Sequence, residues 1–119
     1  MAEKNHVVII PPYKPAYVLK MKPLESMREL ISKKVGLKPK SIQCHINKEK
    51  FRMIVPANTK GLTLNEKATS IADEDIKGYA MIVVVEDGYF VGMPQEVAKL
   101  ISQRINEFNS EDIVDDVGA

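Results

Sequence analysis

The first forty residues alternate short apolar blocks with turn signals, which predicts strands at the start of a single domain. Residues 7–10 are entirely β-branched, and this block ends at Pro11 and Pro12, which cannot donate to a sheet ladder. Residues 16–21 predict a second strand after a short loop. Because the connection is so short, we predict that the two strands form an antiparallel hairpin.

Three more strands are predicted further along the chain. Apolar and polar side chains alternate over residues 41–46, which is typical of a strand with one solvated face. Residues 51–55 predict a shorter strand, and residues 79–85 form the most strand-like segment of the protein. Between these segments, residues 56–69 predict an ordered loop with a short strand or turn, and residues 70–76 a compact acidic segment.

A capped amphipathic helix is predicted between the second and third strands. Ser26 precedes Glu29 by three residues, the spacing of a capping box, and Gly36 is a natural stop. The apolar stripe of this helix consists of Met27, Leu30, Ile31 and Val35.

A second amphipathic helix is predicted near the end of the chain, where Pro94 suits a first helical turn. Its predicted apolar stripe consists of Val97, Leu100, Ile101, Ile105 and Phe108.

Composition agrees with one globular domain. The chain has 119 residues, of which 45% are hydrophobic and 28% charged. The predicted organisation is a polar arm over residues 1–6, a domain over residues 7–88, a helix over residues 93–108 and an acidic flexible tail over residues 109–119. No apolar run is long enough for a membrane span or a signal peptide, and a single cysteine allows no internal disulfide. We therefore expect a cytoplasmic or nuclear protein.

Charge is distributed unevenly along the sequence. The net charge is +1, but residues 1–60 carry a balance of +9 and residues 61–119 a balance of −8. Two interpretations follow: basic and acidic elements neutralise one another in the fold, or a basic face meets an acidic partner or a nucleic acid. The candidate basic patch consists of Lys33, Lys34, Lys38, Lys40, Lys48, Lys50 and Arg52.

Three short motifs stand in order along the chain: Lys22-Pro23-Leu24-Glu25-Ser26-Met27, then Leu37-Lys38-Pro39-Lys40, then Ser70-Ile71-Ala72-Asp73-Glu74-Asp75-Ile76. They resemble, in the same order, the entry to the helix of ubiquitin-like domains, the turn after that helix and the tight segment before the last strand. Glu74 stands at the position of the family's bracing tyrosine.

The chain thus resembles the ubiquitin-like β-grasp family over about residues 7–86. The resemblance implies an α+β fold, a mixed sheet of about four to five strands with one packed helix, to which the C-terminal amphipathic helix is added. Conjugation in this family requires a terminal Gly-Gly, and this sequence contains no Gly-Gly pair. The resemblance therefore implies a non-conjugated protein that binds partners.

The resemblance also implies where a partner would bind, because ubiquitin-like domains generally use the sheet face opposite the helix. The matching of motifs places His45, flanked by Gln43, at the centre of that face. It directs Ala80, Ile82 and Val84 towards the core and leaves Met81, Val83 and Val85 on the open face, although a slip of one residue would exchange the two sets. The predicted partner-binding residues are Gln43, His45, Met81, Val83, Val85, Leu100, Ile101 and Ile105.

Both faces of such a sheet would be apolar, so each face requires a cover. The C-terminal helix could fold back onto the open face, or a partner or a second copy of the chain could supply the cover. Each alternative buries several large apolar side chains, which stabilises by several kcal/mol at ~25 cal/mol per Å².

No catalytic, metal or cofactor site is predicted. Cys44 is expected to point inwards on its strand, whereas His45 points to the opposite face, so the two cannot form a dyad. His6 lies in the predicted N-terminal arm, and the carboxylates of Asp73, Glu74 and Asp75 lack the spacing of a calcium loop.

The sequence therefore favours a non-catalytic ubiquitin-like adaptor or scaffold that binds a protein through its open sheet face and C-terminal helix. The alternatives are a small nucleic-acid-binding protein that uses the basic patch, and a dimerising subunit of a larger assembly. The dependence of binding affinity on salt concentration distinguishes the nucleic-acid-binding alternative from protein binding, because phosphate contacts release counterions and the affinity then falls steeply as salt rises.

Overall fold

The computed structural model describes the backbone of residues 3–118 and the side chains of residues 3–107. Over that part of the chain the fold is α+β, with a six-stranded antiparallel sheet and three helices. The elements, in chain order, are β1 (His6–Ile10), β2 (Tyr17–Lys20), α1 (Met27–Lys34), β3 (Pro39–Ile46), β4 (Glu49–Pro56), α2 (Glu66–Ala72), β5 (Ala80–Glu86), β6 (Tyr89–Val91) and α3 (Gln95–Gly118).

The strand order is β2-β1-β5-β4-β3, with β6 paired to the end of β5. Every pairing between these strands is antiparallel, so the prediction of a mixed sheet is wrong. The reason lies in the central pair, where Ile10 at the end of β1 lies opposite Ala80 at the start of β5. The chain returns to the end of the sheet that it left, and β5 must then run in the opposite direction to β1.

The N-terminal hairpin and the first helix are confirmed. β1 pairs with β2 in antiparallel register, Val8 opposite Val18. Helix α1 begins after Ser26, whose hydroxyl accepts a hydrogen bond from the backbone N–H of Glu29 at 3.1 Å. The capping hydroxyl thereby satisfies one of the free N–H groups of the first turn.

Helix α2 lies in a region that was predicted as a loop and an acidic segment. Its N-cap is Asn65, which is fully buried and whose side-chain oxygen accepts from the N–H of Ala68 at 3.1 Å. The amide of Asn65 donates to the carbonyl oxygens of Ile10 and Gly78, at 2.7 and 2.9 Å. One polar side chain therefore ties the end of β1, the start of α2 and the approach to β5 together.

Strand β6 was also missed. Asp87 and Gly88 both have positive φ, 52° and 83°, which is the backbone of a two-residue hairpin turn. The chain reverses there and β6 pairs with β5, Phe90 opposite Val85. An Asp-Gly pair directly after a strand favours such a turn, so the returning strand has a signal in the sequence.

The sheet is buried on both faces. On one face, Leu30 and Ile31 of α1 pack against Val7, Ile9, Ile54, Met81 and Val83. On the other face, α2 and α3 cover a larger cluster that includes Val8, Ile10, Met53 and Ile82. The predicted orientation of β5 is therefore wrong by one residue, because Met81 and Val83, and not Ala80 and Ile82, point towards α1. All four residues are fully buried, so periodicity alone does not distinguish the two faces.

Helix α3 supplies much of the second cover. Within residues 95–107 its buried positions are Ala98, Ile101, Ser102 and Ile105, a stripe turned slightly from the predicted one, and Leu100 is 61% exposed. Phe108, also assigned to that stripe, and the predicted flexible tail lie outside the residues whose side chains are described. The helix folds back onto its own sheet, so Ile101 and Ile105 stabilise the domain itself.

Candidate functional site

Helix α1 covers only part of its face of the sheet. Among the described residues, its cluster includes side chains of β1, β2, β4 and β5 but none of β3, and Ile54 is its only contribution from β4. The register places Gln43 opposite Arg52 and His45 opposite Lys50 on the same face, next to Val85 of β5. We call the uncovered positions Ser41, Gln43, His45, Lys50, Arg52 and Val85 the open half-face.

A groove of about 640 Å³ lies between α1 and the β5–β6 hairpin. Its apolar lining is formed by Met27, Ile31, Leu37, Pro39, Tyr89 and Phe90. Leu37 is 87% and Tyr89 74% exposed. Phe90 lies opposite Val85 in the hairpin, so the groove adjoins the open half-face.

A second hollow, of about 330 Å³, is lined by Gln43, Lys50, Arg52 and Val85, among other residues. The groove and the hollow meet where Phe90, which lines the groove, lies opposite Val85, which lines the hollow. Contiguous apolar exposure of this kind is a feature of interaction sites on soluble proteins.

The charged side chains that line this surface are basic. His45, Lys50 and Arg52 lie on the open half-face, and Arg28 lines the groove. No carboxylate occupies a strand position of the half-face, since Glu49 and Glu86 alternate to the other face of the sheet. Among residues 3–107, no ion pair neutralises Lys50 or Arg52.

The structure leaves some of the predicted partner-binding residues exposed and buries others. Gln43, His45 and Val85 are exposed and share one face, as predicted, but that face is the one on which α1 lies and not the opposite one. Met81 and Val83 share it too and are fully buried. A partner therefore has no access to these two side chains.

The predicted helical residues do not join this surface. Ile101 and Ile105 are buried against the opposite face of the sheet, and Leu100 is exposed on α3. The sheet separates them from Gln43 and His45. A single partner contact that combines the open half-face with these helix residues is therefore wrong, and the physical reason is that α3 packs on the other layer.

The candidate basic patch is also not one surface. Lys33 donates to the carboxylate of Glu25 at 3.0 Å, and this hydrogen bond lowers the pKa of Glu25 and raises that of Lys33. Lys40 alternates to the other face of β3 and lies 3.9 Å from Glu74. The remaining members, Lys34, Lys38, Lys48, Lys50 and Arg52, are distributed over the end of α1, the start of β3, the β3–β4 turn and β4.

The two residues considered for nucleophilic chemistry diverge as predicted. Cys44 is buried and His45 is exposed on the opposite face of β3. Burial raises the pKa of the Cys44 thiol to about 11, so the thiolate is strongly disfavoured at neutral pH. His6 is a buried residue of β1 and not part of an arm, and its backbone exchanges two hydrogen bonds with Met93.

No protein-family model, curated protein or solved structure matches this chain. The ubiquitin-like resemblance therefore remains a prediction from its three motifs. Within the described part of the chain, no helix combines the length and hydrophobicity needed to cross a membrane. The same residues contain no group of three or more His, Cys, Asp or Glu side chains placed to bind a metal ion.

Sequence reasoning missed the apolar half of the surface. Leu37 was noted only as part of a turn motif, and Tyr89 and Phe90 were not considered. One signal was available, because Asp87-Gly88 followed by Tyr89-Phe90-Val91 has the pattern of a hairpin turn and a short strand. The proximity of that hairpin to α1 depends on the sheet order, which the sequence does not give.

Proposed function

We propose that this chain is a non-catalytic protein-binding module, and that its binding surface is the open half-face together with the adjoining groove. The observation that carries the proposal is that exposed Val85 lies beside the basic side chains of Lys50 and Arg52 and opposite Phe90, which lines the groove. Aromatic and arginine side chains are common anchors in protein interfaces.

The surface favours a partner with both apolar and acidic side chains. Apolar groups of the partner would enter the groove beside Met27 and Ile31, and carboxylates would lie near Lys50 and Arg52. Electrostatic complementarity of this kind mainly raises the association rate and selects among partners. The proposal rests on this surface and not on the ubiquitin-like resemblance, whose implied mixed sheet differs from the antiparallel one.

The test compares variants of the two layers of the domain. Val85→Asp and Phe90→Asp place a carboxylate within the surface, whereas Leu100→Asp places one on exposed α3. The immobilised wild-type chain and the Leu100→Asp variant should retain the same protein from an extract of the source cells. The two surface variants should reduce its retention by at least about tenfold, the effect of losing one interface anchor.

Circular dichroism and thermal melting of each variant are the matched controls, since all three sites are exposed. Retention that is lost with Leu100→Asp and kept with Val85→Asp would assign the binding to α3 and contradict the proposal. Retention of nucleic acid, with an affinity that falls steeply as salt rises, would favour the basic residues as a phosphate-binding site instead.

A further inference from the structure

The two outer strands of the sheet have edges of different character. At the edge strand β2, helix α3 satisfies the neighbouring backbone, because Ala16 bonds to the side chains of Asn106 and Ser102. At the other edge, β3 pairs with β4 on one side only, and no other strand of the described chain pairs with it. With eight residues, β3 is as long as any strand of the sheet. A long open edge is a template for an added strand.

The turn between β3 and β4 determines which backbone groups point outwards. Asn47 and Lys48 form a two-residue loop with φ of 53° and 68°, so the flanking Ile46 and Glu49 form a hydrogen-bonded pair. Successive residues of a strand direct their N–H and C=O groups to opposite sides, so those of Cys44 and Ile42 also point to β4. The corresponding groups of Ser41, Gln43 and His45 point away from the sheet.

The outward backbone groups belong to the same residues whose side chains lie on the open half-face. A strand added beside β3 would thus place alternate side chains next to Gln43 and His45. Lys50 and Arg52 lie opposite these two residues on β4, so their basic side chains are within reach. Its other side chains would lie beside Ile42, which is half-buried at the apolar face. The edge therefore matches an extended segment in which acidic and apolar residues alternate.

We propose that this protein captures an acidic, extended segment of its partner by adding it as a strand to the open edge of β3. The inference rests on the proposed protein-binding function and specifies its geometry. Backbone hydrogen bonds to Ser41, Gln43 and His45 provide the attachment, and the charges of Lys50 and Arg52 select carboxylates. Alternate apolar side chains of the segment extend the core at Ile42.

The experiment uses a blocked synthetic peptide of alternating residues, acetyl-Glu-Val-Glu-Val-Glu-Val-Glu-amide, and the full chain. Amide hydrogen exchange is followed by NMR at saturating peptide. Exchange of the Ser41, Gln43 and His45 amides should slow by at least about tenfold, because their hydrogens become bonded. The Ile42 and Cys44 amides, already bonded to β4, should change little. Unchanged exchange at the three outward amides would overturn the inference.

Two N-methylated peptides provide the matched control for backbone pairing. One carries methyl groups on the amide nitrogens of the glutamates, and the other on those of the valines, so charge and side chains stay constant. In an added strand only one of these sets points to β3, and its methylation should weaken binding by about tenfold or more. Equal affinities of the two methylated peptides would overturn strand addition.

A third peptide, with lysine in place of every glutamate, tests the charge requirement and should bind at least about tenfold more weakly. Equal binding would overturn the acidic part of the inference. The free chain could instead self-associate, protect the same amides and remain associated when the acidic peptide is added. That result would identify a second copy of the chain as the occupant and would overturn the inference.

The failure of this inference can be separated from the failure of the proposed function. If the natural partner binds wild type, is lost with Val85→Asp and leaves the Ser41, Gln43 and His45 amides exchanging freely, the binding surface stands and strand addition is wrong. If the partner's retention is insensitive to Val85→Asp and Phe90→Asp, the proposed function itself is wrong.

Discussion

The side-chain amide of Asn106 pairs with both backbone groups of Ala16, at the entrance to β2. The N–H of Ala16 donates to Oδ1 of Asn106 at 2.9 Å, and Nδ2 of Asn106 donates to the Ala16 carbonyl oxygen at 3.2 Å. The Ser102 hydroxyl donates to the same carbonyl at 3.0 Å. A helix side chain thus substitutes for a neighbouring strand and anchors α3 to the sheet.

We predict that Asn106→Leu lowers the free energy of unfolding by about 1–3 kcal/mol, because the part-buried N–H of Ala16 loses its acceptor. Ser102→Ala is the matched control. It should cost less, about 0.5–1.5 kcal/mol, because the Ala16 carbonyl keeps Asn106 as a donor. Urea unfolding monitored by circular dichroism measures both values. Equal stability of Asn106→Leu and wild type would contradict the role of this pair.

The N-caps of α1 and α2 should differ in importance. Asn65→Ala removes a buried cap together with the donors to the Ile10 and Gly78 carbonyls, and we expect a loss of about 2–4 kcal/mol. Ser26→Ala removes one exposed capping bond and should cost about 0.5–1 kcal/mol. Thermal or urea denaturation of both variants checks the order. The reverse order would show that the buried network does not connect the elements as described.

A glycine at position 48 should stabilise the protein. Lys48 occupies the second position of the β3–β4 turn with a φ of 68°, a left-handed conformation that costs a side-chain-bearing residue about 1 kcal/mol. Lys48→Gly should therefore raise the free energy of unfolding by several tenths to about 1 kcal/mol. Lys48→Ala removes the same charge but keeps the Cβ and serves as the control. An equal gain from alanine would assign the effect to charge instead.

The Cys44 thiol should be unreactive in the folded protein and should make stability fall at high pH. Burial raises its pKa to about 11 from an ordinary value of 9.0, so the folded state holds the proton more tightly than the unfolded state. The contribution to stability is complete below about pH 9 and is lost as pH rises towards 11. Urea unfolding at pH 8 and pH 10.5 measures the fall, which should be smaller in Cys44→Ala.

Thiol labelling gives a second measurement for Cys44. A disulfide reagent at pH 8 should modify the native protein slowly and the urea-unfolded protein rapidly, because both burial and the raised pKa suppress the native thiolate. Labelling of the native protein at the unfolded rate would place Cys44 on an accessible surface and contradict its packing beneath α2 and α3.

Much of the local structure could be predicted because its causes lie close together in the chain. The β1–β2 hairpin follows from a β-branched block, two prolines and a short loop, and α1 follows from the cap at Ser26. The alternation in β3 correctly separates buried Cys44 from exposed His45. Helix α2 was missed because its seven residues give little helical periodicity, and because the burial of its cap Asn65 depends on carbonyl groups that are distant in sequence.

The amino-acid sequence by itself determined the strands with alternating or β-branched patterns, the capped helix and the apolar character of both sheet faces. Only the tertiary structure decided that β5 runs antiparallel to β1, that Met81 and Val83 lie beneath α1, and that α3 covers the opposite face. Periodicity indicates which side chains avoid water. In a strand that is buried on both sides, however, all side chains are apolar, so the pattern does not show which alternate set faces which layer. The groove and the open edge of β3 likewise depend on which strands become neighbours, and that is settled by packing of the whole chain.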